Sequence, residues 1–516
     1  MVLDVDKEML SVNRMLGNKK ENFQVEGDVI VPDVKPDILN TICTSANIII
    51  YKKEVMDGKI KIDGSINVYI MYLADSENSN VRGLNTSLDF SKVFDFPEAR
   101  SNVMLEDVCA IKDIDCKVLN GRKINIKASI DFDLKIYSNN QVQIIKEIDK
   151  INDIQCLKRS VNIDSLAGQG CQKAYAKDTI NVEDGTAISE ILKSEIRIIN
   201  KDIKLSYNKI LAKADALVKV LYLTEDDEIK SCLANIPVMG FVDMDNLTDD
   251  MMCDMNYEIR NILMKINENN SIYVEIEFEI SAKAYQNKTI DVIDDLYSPC
   301  RNIEFNSKQL TTSQNVASRK EAFSIKQSVN IPELENSTIY DMTSDISINN
   351  QNIIDQKIMI DGVARINIVY STGNASKTDV KTIDMPFEFV SNVENVNNGM
   401  RINSDVELQD VDFIIMPNNN IDITVKTMFN VNIVDEIKMN IIDDINVVEE
   451  ECKKNPSIII YYVKKGDTLW SIAKRFNSTI ECIAKFNELE DYEKNLKVGM
   501  QLFIPRYLSK NDNICA

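Results

Sequence analysis

The sequence predicts a mainly β protein, with three tandem β-sandwich-like repeats followed by a small βααβ module. Three observations carry that reading. Apolar residues alternate with polar ones over long stretches, the stretches recur three times at near-constant spacing, and the texture changes after residue 457. A chain of 516 residues is long enough for three or four such units, each with its own core.

The first 20 residues are expected to form a separate amino-terminal segment, a short helix. Asp4, Asp6, Lys7, Glu8 and Arg14 interrupt its apolar residues, leaving no continuous apolar region of the kind an export signal needs. Three repeats follow, over residues 21–155, 165–300 and 315–448. Their first landmark is KIKIDGSINVYIMY (Lys59 to Tyr72). It returns as KILAKADALVKVLY (Lys209 to Tyr222) and KIMIDGVARINIVY (Lys357 to Tyr370), at offsets of 150 and 148 residues. The second landmark is Ile124 to Ile136, Ile272 to Ala284 and Ile421 to Ile433, where alternate residues are almost all apolar. It begins 65, 63 and 64 residues after the lysine of the first.

Period two over such lengths puts the apolar set on one face of a half-buried strand, whereas a helix would scatter it. A strand as long as the first landmark would run about 43 Å, so a bend or bulge is expected at Gly64 and Gly362. Ala214 holds that place in the second copy, so the position requires small size rather than a positive φ.

Each repeat is expected to open with a short turn or helical lead-in, at Val31-Pro32-Asp33, Ala187 to Leu192 and Ile331-Pro332. With no long segments of 3.6-residue period between the strands, antiparallel sheets packed as a sandwich fit better than a parallel α/β sheet. Linkers are expected near 151–165, 300–315 and 445–457. Glycine (15) and proline (10) are scarce, which argues for a semi-rigid, extended array.

The last module spans residues 457–507. Ile458 to Val463 reads as a strand and Lys464 to Asp467 as a turn, while Leu469, Ile472, Ala473 and Phe476 fall at helical spacing. Asp467 or Thr468 is placed to cap that helix. Ser478-Thr479-Ile480-Glu481 reads as a capping box for a second helix that ends at Asn487, and Gln501 to Ile504 as the closing strand.

Composition excludes several chemistries. No histidine occurs in the chain, which removes imidazole bases and histidine-ligated metal. A formal charge of −22 repels phosphate backbones and anionic lipid, so neither nucleic acid nor direct membrane insertion is expected. Eleven cysteines, never spaced CxxC, signal neither a zinc site nor a disulfide framework and imply free thiols in a reducing compartment. No cofactor is expected. The acidic pairs Asp226-Asp227, Asp294-Asp295 and Asp443-Asp444 read as solvated faces rather than acid/base pairs, and Met251, Met252, Cys253 and Met255 as packing in a helix.

YVKKGDTLWSIAKRF (Tyr462 to Phe476), with Asn487 and LKVGMQLFIP (Leu496 to Pro505) downstream, resembles a LysM domain. The resemblance implies a groove with Gly466, Asp467, Thr468, Leu469 and Trp470 on one side, and Leu496, Val498, Gly499 and Met500 on the other, beside Asn487. Such grooves commonly bind N-acetylglucosamine-containing glycans such as peptidoglycan. Trp470 lies about 100° off the core face of its helix, and either lines the groove or packs against Tyr462 or Phe503. Asp467 suits a helix cap better than a ligand contact. The upstream copies resemble the β-rich DUF3794 repeat of endospore-forming bacteria, and three of them before one LysM domain resemble the SipL-type spore coat morphogenetic family. What this implies is a non-enzymatic scaffold in the mother-cell cytoplasm at the forespore surface. It would hold a SpoIVA-type coat ATPase through the LysM domain and help localise the spore coat during sporulation. The alternative is a LysM glycan-binding wall protein.

Overall fold

The computed structural model describes residues 4–76, 80–149, 154–182, 187–334, 337–371, 378–417, 419–448, 458–489 and 496–506. The first repeat is six strands: β1 (Asp4–Ile30), β2 (Ile38–Met56), β3 (Lys59–Ala74), β4 (Val81–Asp95), β5 (Met104–Asn120) and β6 (Lys123–Asp149). The second holds β7 (Gln155–Asn181), β8 (Ile188–Ser206), β9 (Lys209–Thr224), β10 (Ile229–Asp243), β11 (Met252–Ile266) and β12 (Ser271–Tyr297). The third holds β13 (Asn302–Asn330), β14 (Ile339–Ile354), β15 (Lys357–Ser371), β16 (Thr378–Asn392), β17 (Arg401–Met416) and β18 (Asn420–Val448). The last module is β19 (Ile458–Tyr462), α1 (Leu469–Phe476), α2 (Ile480–Phe486) and β20 (Gln501–Pro505).

Each repeat is a sandwich of two antiparallel three-stranded sheets, ordered β2-β3-β4 and β1-β6-β5 in the first copy. The two landmarks are the central strands. Ile60, Ile62, Ile66 and Tyr72 of β3 meet Ile124, Ile126, Ile130 and Phe132 of β6 in one core, all essentially inaccessible to solvent. Gly64 pairs with Phe90, and a bulge on β2 lies opposite it, between Ile50 and Lys52. A Cβ on Gly64 would lie 2.6 Å from both the Ile49 carbonyl oxygen and Phe90 Cζ, so small size is what the position requires. Gly362 repeats the arrangement opposite Phe387. In the second copy Ala214 faces the smaller Val238, and β8 bulges by an extra residue between Ile199 and Asp202.

Several expectations are corrected. Residues 4–20 are strand rather than a separate short helix: Leu10 and Val12 are buried, and Asp6, Lys7 and Arg14 are exposed. The expected linkers at 151–165 and 300–315 are largely strand, because β7 begins at Gln155 and β13 at Asn302. The third reaches into β18, and residues 449–457 lie outside the described residues. A turn precedes β2 and a single 3-10 turn, Pro332–Leu334, precedes β14, but β8 begins at Ile188 with no helical lead-in. Met252, Cys253 and Met255 lie on strand β11 and not on a helix, and Cys253 and Met255 pack against the core with Met251.

The array is closed rather than extended. The long partners β1 and β6, β7 and β12, β13 and β18 run on as two-stranded ribbons beyond their sandwiches, and each ribbon packs on the other two. Leu10, Ile144, Ile163, Ile290, Leu310 and Ile441 fill the three-sided prism between them. Two bulges recur at equivalent places: an extra residue at Leu16, Ala167 and Val316 in β1, β7 and β13, and another at Lys146, Asp294 and Asp443 in their partners. The outer faces of the three β2-β3-β4-type sheets also meet, with Met71, Leu221 and Val369 from equivalent positions in one cluster. Of the acidic pairs expected to be solvated, Asp226, Asp227 and Asp444 are exposed and Asp294, Asp295 and Asp443 half-buried, and at least one carboxylate of each pair is also ion-paired. Asp227 pairs with Arg82 of the first repeat at 2.6 Å, Asp294 with Arg159 at 2.8 Å, and Asp443 with Lys308.

Gly64→Ala should therefore destabilise the chain by about 1–3 kcal/mol through overpacking. Combined with Phe90→Val it should cost less than the two single changes added together, as read by thermal unfolding of the three proteins.

Candidate functional site

The carboxyl-terminal module packs α1 and α2 on one face of the antiparallel pair β19 and β20, around Leu469, Ile472, Ala473, Ile483, Leu502 and Ile504. Gly466 turns the chain at φ +88°. Asp467 Oδ2 accepts from the Lys464 N–H at 2.8 Å and from the Tyr461 hydroxyl at 2.7 Å. Those bonds hold its carboxyl below the usual range, the Lys464 amide contributing most. Asp467 thus clamps the turn and does not cap the helix. The cap is Thr468, in a reciprocal box with Ser471: the Ser471 N–H reaches Thr468 Oγ1 at 3.1 Å and the Thr468 N–H reaches Ser471 Oγ at 3.0 Å. The cap of α2 is Thr479, one residue beyond the serine expected to serve. Ser478 is buried and donates to the Pro505 carbonyl instead.

Facing the first turn, Leu496 to Met500 is tied to the end of β19 by two backbone bonds. The Val463 N–H donates to the Met500 carbonyl at 2.9 Å and the Gly499 N–H to the Val463 carbonyl at 2.8 Å. Gly499, at φ +86°, makes that return possible, and Val498 at its tip is 69% exposed. Both turns are therefore anchored at the end of β19, the one at Gly466 following Val463 in the chain and the one at Gly499 bonded to it. Leu469 is core, and Leu496 and Met500 are partly buried against it. Asn487 is a staple: its amide donates to the Ile483 and Phe503 carbonyls at 2.8 and 2.7 Å and accepts from the Phe503 N–H at 2.8 Å.

Trp470 neither lines the groove nor packs on Tyr462 or Phe503. Its indole N–H donates to Asp295 Oδ2 at 2.8 Å, and its ring meets Tyr297 edge-on at 4.9 Å. Lys474, one turn on, reaches the same carboxylate at 2.6 Å, and the Tyr297 hydroxyl donates to the Ser478 carbonyl at 2.9 Å. Burial, then Asp295, pushes the Tyr297 phenol up, which keeps it a donor. The module is thus docked on the end of β12, and Asp295 and Tyr297 were missed because they lie about 175 positions upstream. A signal existed. At the places equivalent to Tyr297 the first and third repeats carry Asp149 and Asn446, so only the second presents an aromatic ring there.

A second surface went unread. On β19 the side chains of Ile458, Ile460 and Tyr462 point away from the helices and are 54–59% exposed; Phe503, opposite Ile460, extends the stripe. A strand covered on one face normally alternates, and IIIYY does not. Cys482 on α2 is disulfide-bonded, correcting the expectation of free thiols throughout; spacing alone does not show a pairing distant in sequence. The other eight described cysteines carry no disulfide, and Cys452 and Cys515 lie outside the described residues. Burial pushes the Cys116 thiol up to about 11. Among the described residues no cluster of acidic or thiol ligands suits a metal, and no helix is long and apolar enough to cross a membrane.

Two family models match the chain. The LysM domain covers residues 461–505, and the SipL, SPOCS domain covers 37–119, 187–267 and 337–416. The molecule is thus a tandem SPOCS protein ending in a LysM domain, two non-catalytic binding domains. Its architecture is of the SipL type. No curated protein and no solved structure matches it.

Since Trp470 is the only tryptophan, it reports the dock. Tyr297→Ala or Asp295→Ala should red-shift its emission and raise acrylamide quenching in the full chain, while the module's own unfolding midpoint stays within about 2 °C of wild type.

Proposed function

We propose that the chain is a non-enzymatic scaffold of the spore coat. It binds a SpoIVA-type coat ATPase through the LysM domain and helps localise the coat at the forespore surface, in the mother-cell cytoplasm, during sporulation. The observation that carries this is the exposed stripe of Ile458, Ile460, Tyr462 and Phe503 on a domain whose only tryptophan is turned inward to the body. Clustered aromatic and branched aliphatic side chains of this kind are what a protein interface covers. Residues 457–507 carry eight basic and six acidic side chains, so in a chain of charge −22 this module repels an acidic partner least.

A second reading is favoured by a different surface. The two turns at Gly466 and Gly499, anchored on Val463 and leaving Val498 exposed, suit a glycan laid between them, as in LysM domains that bind peptidoglycan. Trp470 contributes nothing to that groove.

The two readings separate cleanly. Ile460→Lys and Tyr462→Lys should each weaken capture of the coat ATPase by at least about tenfold, with the unfolding midpoint unchanged. Val498→Lys should leave capture intact, and wild-type protein should not sediment with purified peptidoglycan at moderate salt. Undiminished capture by both stripe variants would reject the scaffold reading for this face.

A further inference from the structure

Matching the copies on Tyr72, Tyr222 and Tyr370 makes Cys43, Lys193 and Asp341 one position: each follows a bulge and pairs with Met71, Leu221 or Val369 of the central cluster. Where the three repeats meet, then, one structural position holds a thiol, an ammonium and a carboxylate. Lys193 Nζ lies 2.9 Å from Asp341 Oδ2 and donates to Thr343 Oγ1 at 3.1 Å. Lys219 closes the other side of the carboxylate, 2.5 Å from Oδ1, and donates to the Met342 carbonyl at 2.9 Å. The Asp341 side chain is 2% exposed and Lys193 12%. Tyr69 and Asn367 are the counterparts of Lys219, so only the second repeat reaches forward with a cation, and only the third receives it with an anion.

Such a layer adds little net stability compared with an apolar one, but it is costly to mismatch. Three copies of the second repeat would bring six ammonium groups together, and three of the third would bring three carboxylates. We propose that the layer is a directional key. The axial face of each repeat fits one neighbour only, so the first, second and third repeats of a single chain close in one order, and a repeat from a second chain is refused wherever it would duplicate one already present. The groups facing Asp341 are Lys193 of β8, Lys219 of β9 and Cys43 of β2, and Glu195 of β8 faces Lys193. Burial pushes the Asp341 carboxyl up, but the two lysines outweigh burial and hold it below the usual range. The stability it contributes is therefore complete above the ordinary aspartate value of about 4 and lost only as pH falls through the lower folded value.

The test keeps the residue inventory and changes its order in the full chain. Rotating the set by one repeat (C43D, Y69N, K193C, K219Y, D341K, N367K) preserves every neighbour relation. Exchanging only the second and third repeats (K193D, K219N, D341K, N367K) breaks them. The rotated chain is expected to keep the wild-type sedimentation coefficient and melt within about 3 °C of wild type, the exchanged chain to lose about 10 °C and to expand or associate in sedimentation. Equal behaviour of the two chains would overturn the proposal if both resemble wild type. If both collapse, Lys219→Met and Asp341→Asn decide, singly and together. Strongly non-additive melting losses, with acid unfolding of Lys219→Met shifted to higher pH, support the key, and simple additivity overturns it.

Discussion

The structure depends on one constraint: the apolar face of each long ribbon does not stop where its sandwich stops. In the first copy it runs from Ile124 through Ile136 and, past Ser138 and Asn140, resumes at Val142 and Ile144, and a two-stranded ribbon has nothing of its own to cover that continuation. Three such ribbons cover one another. Closure of the prism brings the three outer sheets together at Met71, Leu221 and Val369, and leaves the end of β12 as the platform on which the LysM domain sits. The closed body and the placement of its binding module are consequences of the same unsatisfied face.

That logic explains where the family spans fall. The matched SPOCS segments hold β2 to β5 and their counterparts, and stop short of the long strands that build the prism. The landmark Ile124 to Ile136 lies just outside the first of them. A sandwich needs those strands to complete its second sheet, and the prism needs their extensions, so the structural repeat is about 60 residues longer than the matched one.

The central strands were legible because they carry unbroken alternation: every second residue from Ile124 to Ile136 is buried. The LysM module was legible because turn, caps and helix faces lie within some fifty residues of one another. The amino-terminal strand was not. The bulge at Leu16 moves the core-facing set of β1 from Leu10 and Val12 to the partly buried Phe23 and the buried Val25, from even to odd numbers, and the same slip at Ala167 and Val316 makes β7 and β13 look like linkers. The sequence leaves Trp470 between two roles because its partners, Asp295 and Tyr297, belong to the second repeat and not to its own module.

The sequence by itself determined strand period, copy number, the small residue at Gly64, Ala214 and Gly362, and the terminal βααβ fold, since each depends on neighbours a few residues away or on a pattern repeated within the chain. Only the tertiary structure decided that the repeats close on one another, that Cys43, Lys193 and Asp341 share one buried layer, and that the tryptophan of the LysM domain faces the body and not a ligand. Those outcomes are set by contacts between segments about 150 or more residues apart, whose pairing depends on which apolar faces remain uncovered after each repeat has folded.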